Sequence, residues 1–342
     1  MKQWIARHDT AAFLVLTFGI SWPLWLVSGA LQRMPVMAPS LSWFVAQLGV
    51  FAPALAGLAV GAWLELDGGR RALRTLACVF APAAALALWI ATRRFASFAQ
   101  IDGPATWATA ALGVWALFWF GAGRNRPAPW GGPPAGRATI TWWSLGCAAV
   151  PVALFLLAWS MAGGGSAGEG GGAASLPPMP VRDPTPFGLL SAFAVNLSFG
   201  GTLGEEPGWR GAWLPRLLRR QPAFGAAAII SFWWALWHAP IDLTQGFLLP
   251  GAGALVVRQI WTFPLTVLFT WVTLRAGGSL LPPMLLHTTI NSFSDFGVAE
   301  PGRYVRAMGM FSVLTVILAV AVLAADYRVW RGHPDREEAP GD

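Results

Sequence analysis

The sequence predicts an all-α, polytopic transmembrane helical bundle, and three observations lead to this prediction. The chain has 342 residues, of which 55% are hydrophobic and only 11% charged, and its mean hydropathy is +0.53. This composition is too apolar for an ordinary soluble domain. Apolar runs close to the roughly 20 residues that cross a bilayer recur along the chain. The arginines cluster between these runs, as the positive-inside rule expects of membrane proteins.

The first half of the chain contains five apolar runs of roughly spanning length. The first run follows Lys2 and Arg7 and is too long for the core of a signal peptide, so we expect an uncleaved first span. A Gly-rich and then Pro-rich stretch, 163–186, follows the fifth run and predicts a flexible extramembrane linker. It lacks the Lys-Ser/Thr signature of a phosphate-binding loop. The five runs cover 11–31, 41–64, 74–92, 105–122 and 140–162.

The second half contains five further apolar runs and ends in a polar tail, 327–342. Counting every run gives ten helices, and an error of two in this count, or a re-entrant piece, would make it eight. We therefore predict eight to ten membrane helices around an intramembrane polar cavity, within a single integral membrane domain, 1–326. The five runs cover 187–219, 223–246, 257–275, 279–298 and 307–326.

The positive charges predict the orientation. With ten crossings, most Lys and Arg residues, including Arg70, Arg71 and Arg74, fall in loops on the side of both termini, whereas Arg258 falls in a loop on the other side. Both termini are therefore expected in the cytoplasm. The same pattern accounts for the net charge of +7, so no nucleic-acid partner is predicted. Cys78 and Cys147 lie in separate apolar runs, which indicates neither a disulfide framework nor a thiolate metal site.

Two adjacent carboxylates and an arginine, Glu205, Glu206 and Arg210, stand beside these apolar segments. An ionisable group there costs several kcal/mol unless it is paired or faces a polar cavity. Residues four apart share a helix face, so Arg210 is expected to pair with Glu206 while Glu205 points elsewhere. Pro207 predicts a kink or the start of a second helix. The alternative is a purely structural Glu–Arg pair between two helices.

Two histidines lie in later apolar runs. His238 ends the sequence Trp-Ala-Leu-Trp-His, and His287 is four residues before Asn291, on the same helix face. Each histidine taken alone is more typical of a satisfied interhelical hydrogen bond. Glu205, His238 and His287 fall at a similar depth if their segments are centred on the bilayer, which predicts a shared site. This requires a long, tilted or kinked sixth helix that continues through Glu205.

Such a set suits the activation of water in two ways. Glu205 could act as a general base with His238 sharing the proton. Alternatively, His238, His287 and a glutamate could hold Zn²⁺ with an open position for water. His287 with Asn291, or Arg210, could donate hydrogen bonds to an oxyanion on a peptide carbonyl. No His-Glu-x-x-His motif occurs, so the spacing does not require a metal.

Three motifs occur in order: Glu-Glu-x-x-x-Arg from Glu205, Trp-Ala-Leu-Trp-His ending at His238, and His-x-x-x-Asn from His287. Together they resemble the motifs of the CAAX protease and bacteriocin-processing family of intramembrane proteases, called CPBP or Abi, which includes the CAAX prenyl endopeptidases of the Ras-converting type. The similarity is strongest over 187–298 and also covers the first 80 residues weakly. Trp234 departs from the Phe that this family often has at that position.

The resemblance implies an intramembrane endopeptidase of the bacterial cytoplasmic membrane that acts on a membrane-associated or prenylated-type peptide. It further implies that Glu205 and His238 activate water, that Glu206 and Arg210 support them, and that His287 and Asn291 bind the oxyanion. The cofactor stays open between none and a divalent metal such as zinc, with Glu205, His238 and His287 as its ligands.

Two other functions are weighed against the endopeptidase. The first is a non-catalytic bacteriocin-immunity or membrane scaffold protein that binds its partner in the same cavity. The second is a transporter, which ranks last because the two halves of the chain show no inverted repeat.

Overall fold

A computed structural model describes residues 7–33, 39–64, 68–92, 103–121, 135–163, 186–199, 201–245, 251–293 and 301–331. These residues are almost entirely helical and contain no strand, so the predicted helical bundle is confirmed. The helices are α1 (Asp9–Gln32), α2 (Pro39–Val50), α3 (Ala52–Leu64), α4 (Gly68–Thr75), α5 (Ala81–Thr92), α6 (Gly103–Gly121), α7 (Arg137–Met161), α8 (Pro186–Ser198), α9 (Thr202–Gly208), α10 (Leu214–Leu218), α11 (Ala223–Trp237), α12 (Ala239–Gln245), α13 (Ala252–Arg275), α14 (Leu281–Phe293), α15 (Pro301–Ala325) and α16 (Tyr327–Arg331).

Each of the ten predicted apolar runs forms helical structure. Within the described ranges, six helical segments are long and apolar enough to cross a membrane. Their outer faces expose large apolar side chains such as Val15, Val256 and Val320, as expected of surfaces that contact lipid. The other four runs form α6, the interrupted segment α8 to α10, the pair α11 and α12, and α14, so the number of crossings stays a prediction. The six segments are Asp9–Gln32, Leu41–Leu64, Gly68–Thr92, Arg137–Met161, Ala252–Arg275 and Gly302–Ala325.

The predicted linker and tail fall mostly outside the described residues. Of the linker, 163–186, only its first and last residues are described. The predicted polar tail, 327–342, begins with α16, where Trp330 is buried and its Nε1 donates to the carbonyl of Val322 at 3.3 Å. The start of the tail therefore packs against the end of α15.

The run 187–219 is not one kinked helix, and this corrects the sequence-based expectation. Helix α8 ends at Ser198, and α9 begins at Thr202 after Gly201, whose φ is 102°. Glycine has no Cβ and adopts this φ without strain, so the chain breaks here. The helix start predicted at Pro207 was wrong, because Pro207 lies inside α9. The kink predicted there stays a prediction, and a π-helical turn, Trp209–Trp213, follows α9 directly.

Glycines allow α9 and the π-helical turn after it to approach α3 and the end of α2 closely. A Cβ at Gly204 would collide with the Val50 carbonyl, and one at Gly208 would collide with the Pro53 backbone. A Cβ at Gly57 would stand 2.6 Å from the Cβ of Ala212. Small residues four apart are the usual means of bringing membrane helices into backbone contact. This contact fixes the position of the two glutamates that lie between Gly204 and Gly208.

The segment that carries the glutamates separates two apolar cores. Leu203 packs in one core with Phe51 and Phe199, and Trp209 packs in the other with Phe13. The rings of Phe13 and Trp209 lie 5.3 Å apart, and Trp209 is fully buried. Burial on both sides leaves little freedom for the backbone between residues 203 and 209, so the glutamates stand on a rigid element.

Candidate functional site

The three sequence motifs meet at one cavity of about 310 Å³ inside the bundle. Glu205 of α9, His238 at the end of α11, and His287 with Asn291 of α14 all line it. Glu206 and Arg210 are not among the lining residues and lie behind the wall. The predicted convergence of acid and imidazole groups from separate helices is therefore present. The other walls are largely aromatic and aliphatic side chains, among them Trp25, Phe199, Trp237, Trp261 and Phe269.

Glu205 is buried and presents its carboxylate to the cavity. Its Oε2 accepts a hydrogen bond from the indole Nε1 of Trp234. Its Oε1 lies against Gly201, where a Cβ would collide with it. Two requirements therefore favour glycine at position 201: the positive φ at the start of α9, and the space that the Glu205 carboxylate occupies.

The His238 imidazole is oriented by a backbone carbonyl. Its Nδ1 lies 2.8 Å from the carbonyl oxygen of Trp234, one turn earlier. A carbonyl only accepts, so Nδ1 carries a proton, and in the neutral ring Nε2 is left as an acceptor. The rings of Trp237 and Trp25, at 4.9 and 6.3 Å, flank the imidazole. Trp234 thus orients both residues that were predicted to activate water.

One oxygen of Glu206 contacts two partners, Arg210 and His287. Its Oε1 accepts from Nη1 of Arg210 at 3.1 Å and lies 2.7 Å from Nδ1 of His287. The guanidinium of Arg210 also stands 4.4 Å from the centres of the Trp234 and Phe269 rings, a cation–π arrangement. The side chains of Glu206 and Arg210 are fully buried. The predicted pairing of Arg210 with Glu206, rather than with Glu205, is confirmed.

His287 connects this buried pair to the cavity. With Nδ1 engaged by Glu206, its Nε2 lies on the Gly201 side, 3.3 Å from where a Cβ on Gly201 would stand. Glu205 Oε1 borders the same glycine. Asn291, one turn after His287, lines the cavity as its spacing predicts. The two groups thus present hydrogen-bonding atoms to one side of the cavity.

The expected zinc ligands line one cavity without forming a ligand cluster. Across the described ranges, no three His, Cys, Asp or Glu side chains are grouped closely enough to hold a metal ion. Nδ1 of each histidine is engaged, by the Trp234 carbonyl and by Glu206, which leaves Nε2 of each ring as the nitrogen that a metal would use. A zinc site formed by Glu205, His238 and His287 stays a prediction, and the mechanism proposed below routes no step through a metal.

Sequence analysis missed an ion pair at the cavity. Arg258 lines it and binds Asp242 in a bidentate manner, with Nε at 2.8 Å from Oδ2 and Nη2 at 2.6 Å from Oδ1. The Asp242 side chain is fully buried. The sequence pattern placed Arg258 in a loop, whereas it lies on α13. The available signal was Asp242 itself, an acid four residues after His238 within an apolar run.

Comparisons with known proteins agree with the motif-based resemblance. Residues 187–293 match a family model described as type II CAAX prenyl endopeptidase Rce1-like. This segment contains all six predicted site residues. A relative described as CAAX prenyl protease 2, from Methanococcus maripaludis, is 26% identical over 123 residues, which cover 33% of this chain. The chain spans 44% of the length of that curated relative.

Proposed function

We propose that the protein is an intramembrane endopeptidase that hydrolyses a peptide bond of a membrane-associated or prenylated-type peptide. The observation that carries the proposal is the convergence of Glu205, His238, His287 and Asn291 on one cavity. These groups combine proton acceptors with hydrogen-bond donors, the two requirements of amide hydrolysis by water. The similarity to CAAX prenyl endopeptidases covers the same residues and supports the reaction class.

Glu205 and His238 serve as the groups that activate water. The Glu205 carboxylate accepts a proton from a cavity water while its Oε2 is held by Trp234. The unprotonated Nε2 of His238 accepts a hydrogen bond from the same water, and the oxygen attacks the peptide carbonyl carbon. The proton held by Glu205 then passes to the leaving nitrogen, so the group acts as base and then as acid.

His287 and Asn291 serve as donors to the oxyanion. The Asn291 amide donates directly, and His287 donates from Nε2 in its protonated form while Nδ1 donates to Glu206. Donors placed in advance in a site that excludes bulk water stabilise the developing charge more strongly than water does. Glu206 and Arg210 contact neither water nor substrate in this scheme and act as positioning residues.

The orientation and location are part of the proposal. The motif-based resemblance and the distribution of arginines favour the bacterial cytoplasmic membrane with both termini in the cytoplasm. The natural substrate is then a peptide or protein that reaches the cavity from the membrane.

Cleavage by the purified protein in proteoliposomes tests the proposal. The probes are a fluorogenic prenylated peptide and its unprenylated counterpart. We expect Glu205→Gln and His238→Ala to lower kcat/KM by about 100-fold or more, the usual size of a general acid–base contribution. His8→Ala, which removes an exposed histidine at the start of α1, is the matched control and should leave cleavage unchanged.

Wild-type turnover in Glu205→Gln or His238→Ala would refute the mechanism. Binding of the peptide by the wild-type protein without cleavage would favour the non-catalytic immunity or scaffold function instead. The same assay with and without a chelator tests whether turnover requires a metal ion. Unchanged turnover supports water activation by the protein groups alone. Turnover that is lost with the chelator and restored by zinc requires a rearranged ligand set.

A further inference from the structure

A second cavity, of about 620 Å³, lies between α3, α4, α6 and the segment 207–216. It shares no lining residue with the cavity that contains Glu205. Four arginines line it: Arg70, Arg71 and Arg74 of α4, and Arg216 of α10. None of its described lining residues carries a carboxylate. The proposed hydrolysis makes no use of this concentration of positive charge.

An acidic side chain, Asp9, lies close to Arg216 at this cavity. Arg216 Nε lies 3.9 Å from Oδ2 of Asp9, which is also bound by Arg220 at 2.9 Å. One carboxylate is therefore shared by two arginines, and no ion pair is formed by Arg74 among the described residues. Several guanidinium groups around one space suit phosphate, because each presents a planar fork of donors that matches two phosphate oxygens.

Much of the remaining wall of the cavity is apolar. Leu58, Phe80, Phe120 and Leu280 line it, and Trp119, another lining residue, donates from Nε1 to the Thr75 hydroxyl at 3.3 Å. A soluble anion uses only the charged part of such a space. An occupant with an anionic head and a hydrocarbon chain uses both, and the cavity lies among helices of spanning length.

We propose that this cavity, lined by Arg70, Arg71, Arg74 and Arg216, binds the phosphate headgroup of an anionic phospholipid with an acyl chain along its apolar wall. Basic pockets between membrane helices on the cytoplasmic side are suited to such headgroups, and α4 is predicted to lie on that side. Pro207, Gly211 and Ala212 complete the wall. The bound lipid therefore contacts the same segment that positions Glu206 and Arg210.

Lipid retention by the full-length protein tests this assignment. The protein is purified in a zwitterionic detergent, exposed to mixed micelles of phosphatidylglycerol and phosphatidylcholine, and analysed by native mass spectrometry. We expect selective retention of phosphatidylglycerol, reduced about tenfold or more in Arg71→Gln/Arg74→Gln. Arg137→Gln/Arg219→Gln is the charge-matched control, because it removes two exposed arginines outside the cavity and should retain lipid as the wild type does.

Three results would overturn the proposal. Equal retention of both lipids by the wild type would show that the cavity does not select an anionic headgroup. An equal loss of retained phosphatidylglycerol in the two double variants would show that the lipid adsorbs to the protein surface. Stabilisation against heat by inorganic phosphate equal to that by phosphatidylglycerol would identify a soluble anion as the occupant. Arg71→Lys/Arg74→Lys keeps the charge without the planar guanidinium fork, and it replaces Arg71→Gln/Arg74→Gln if that variant does not fold. We expect it to retain phosphatidylglycerol less than the wild type does and more than the Gln variant does.

Discussion

His287 Nδ1 lies 2.7 Å from Oε1 of Glu206, inside the protein and behind the cavity wall. The same oxygen accepts from Arg210 Nη1 at 3.1 Å. The two neighbouring glutamates therefore differ in their surroundings. Glu206 is engaged by Arg210 and His287, whereas Glu205 faces the cavity and accepts a hydrogen bond from Trp234. Their substitution should separate stability from turnover.

Glu206→Gln is expected to destabilise the protein by about 3–5 kcal/mol, because it leaves the buried Arg210 without its counter-charge. The unfolding midpoint in detergent measures the effect. Glu206→Gln/Arg210→Met removes both charges and should recover most of the loss, since replacing a buried ion pair by apolar groups is often nearly neutral. A double variant as unstable as Glu206→Gln alone would show that Arg210 contributes mainly through its contacts with Trp234 and Phe269.

Glu205→Gln, in contrast to Glu206→Gln, should abolish cleavage with little effect on stability. The amide retains an oxygen that can accept from Trp234, so we expect a change in stability within about 1 kcal/mol. Cleavage should nevertheless fall to background, because an amide does not accept the proton of the attacking water. A Glu205→Gln protein that unfolds as readily as Glu206→Gln would indicate that Glu205 too is mainly a structural residue.

Gly201→Ala is expected to impair both folding and cleavage. Its φ of 102° is strained for any residue with a Cβ, and that Cβ would collide with Glu205 Oε1. We expect a loss of about 1–3 kcal/mol from the backbone alone, measured by thermal unfolding. Gly146→Ala is the matched control, because Gly146 is helical with no atom within 4 Å of an added Cβ. It should be neutral or slightly stabilising. Normal cleavage by Gly201→Ala would contradict the position of the Glu205 carboxylate.

Local rules predicted part of the site from the sequence. Residues four apart on a helix share a face, which was sufficient to pair Arg210 with Glu206 and to place His287 beside Asn291. The similar depth expected of His238 rested on the length of the apolar runs and stays a prediction. Each of these inferences depends only on the period of the helix or the thickness of the bilayer.

Tertiary contacts decided what the sequence did not predict. Proline is the strongest local signal for a break, so the sequence favoured Pro207 over Gly201, yet the helices break at Gly201, whose φ is 102°. Arg258 stands 16 positions after Asp242, and no helical spacing relates them. Their pairing depends on how α12 and α13 pack, which the hydropathy of either segment does not show.

Arg258→Gln is expected to destabilise the protein by about 3–5 kcal/mol, because Asp242 is fully buried and loses its counter-charge. The stability of Arg258→Lys should lie between those of the wild type and Arg258→Gln, since lysine keeps the charge but not the bidentate geometry. Asp242→Asn/Arg258→Gln should recover stability in the same unfolding measurement. Equal stability of the wild type and Arg258→Gln would mean that another group neutralises Asp242.

The stability that Asp326 provides should depend on pH. Partial burial raises the pKa of Asp326, but hydrogen bonds from Arg275 and Trp271 outweigh it and hold the pKa below the ordinary value of 3.8. The folded state therefore binds this proton less tightly than the unfolded state, and the stabilisation is complete above about pH 4 and lost as the pH falls through the folded pKa.

Asp326→Asn should consequently lower the unfolding midpoint at pH 7. The expected loss in free energy of unfolding is about 1 kcal/mol or less, because the Arg275 side chain is exposed. The difference from the wild type should narrow below about pH 4, where the wild-type carboxylate also becomes neutral. Arg275→Gln should show the same pH dependence, since it removes the main cause of the lowered pKa. A difference that stays constant from pH 7 to about pH 3 would mean that the introduced amide differs from the carboxylate of Asp326 in packing and not in charge.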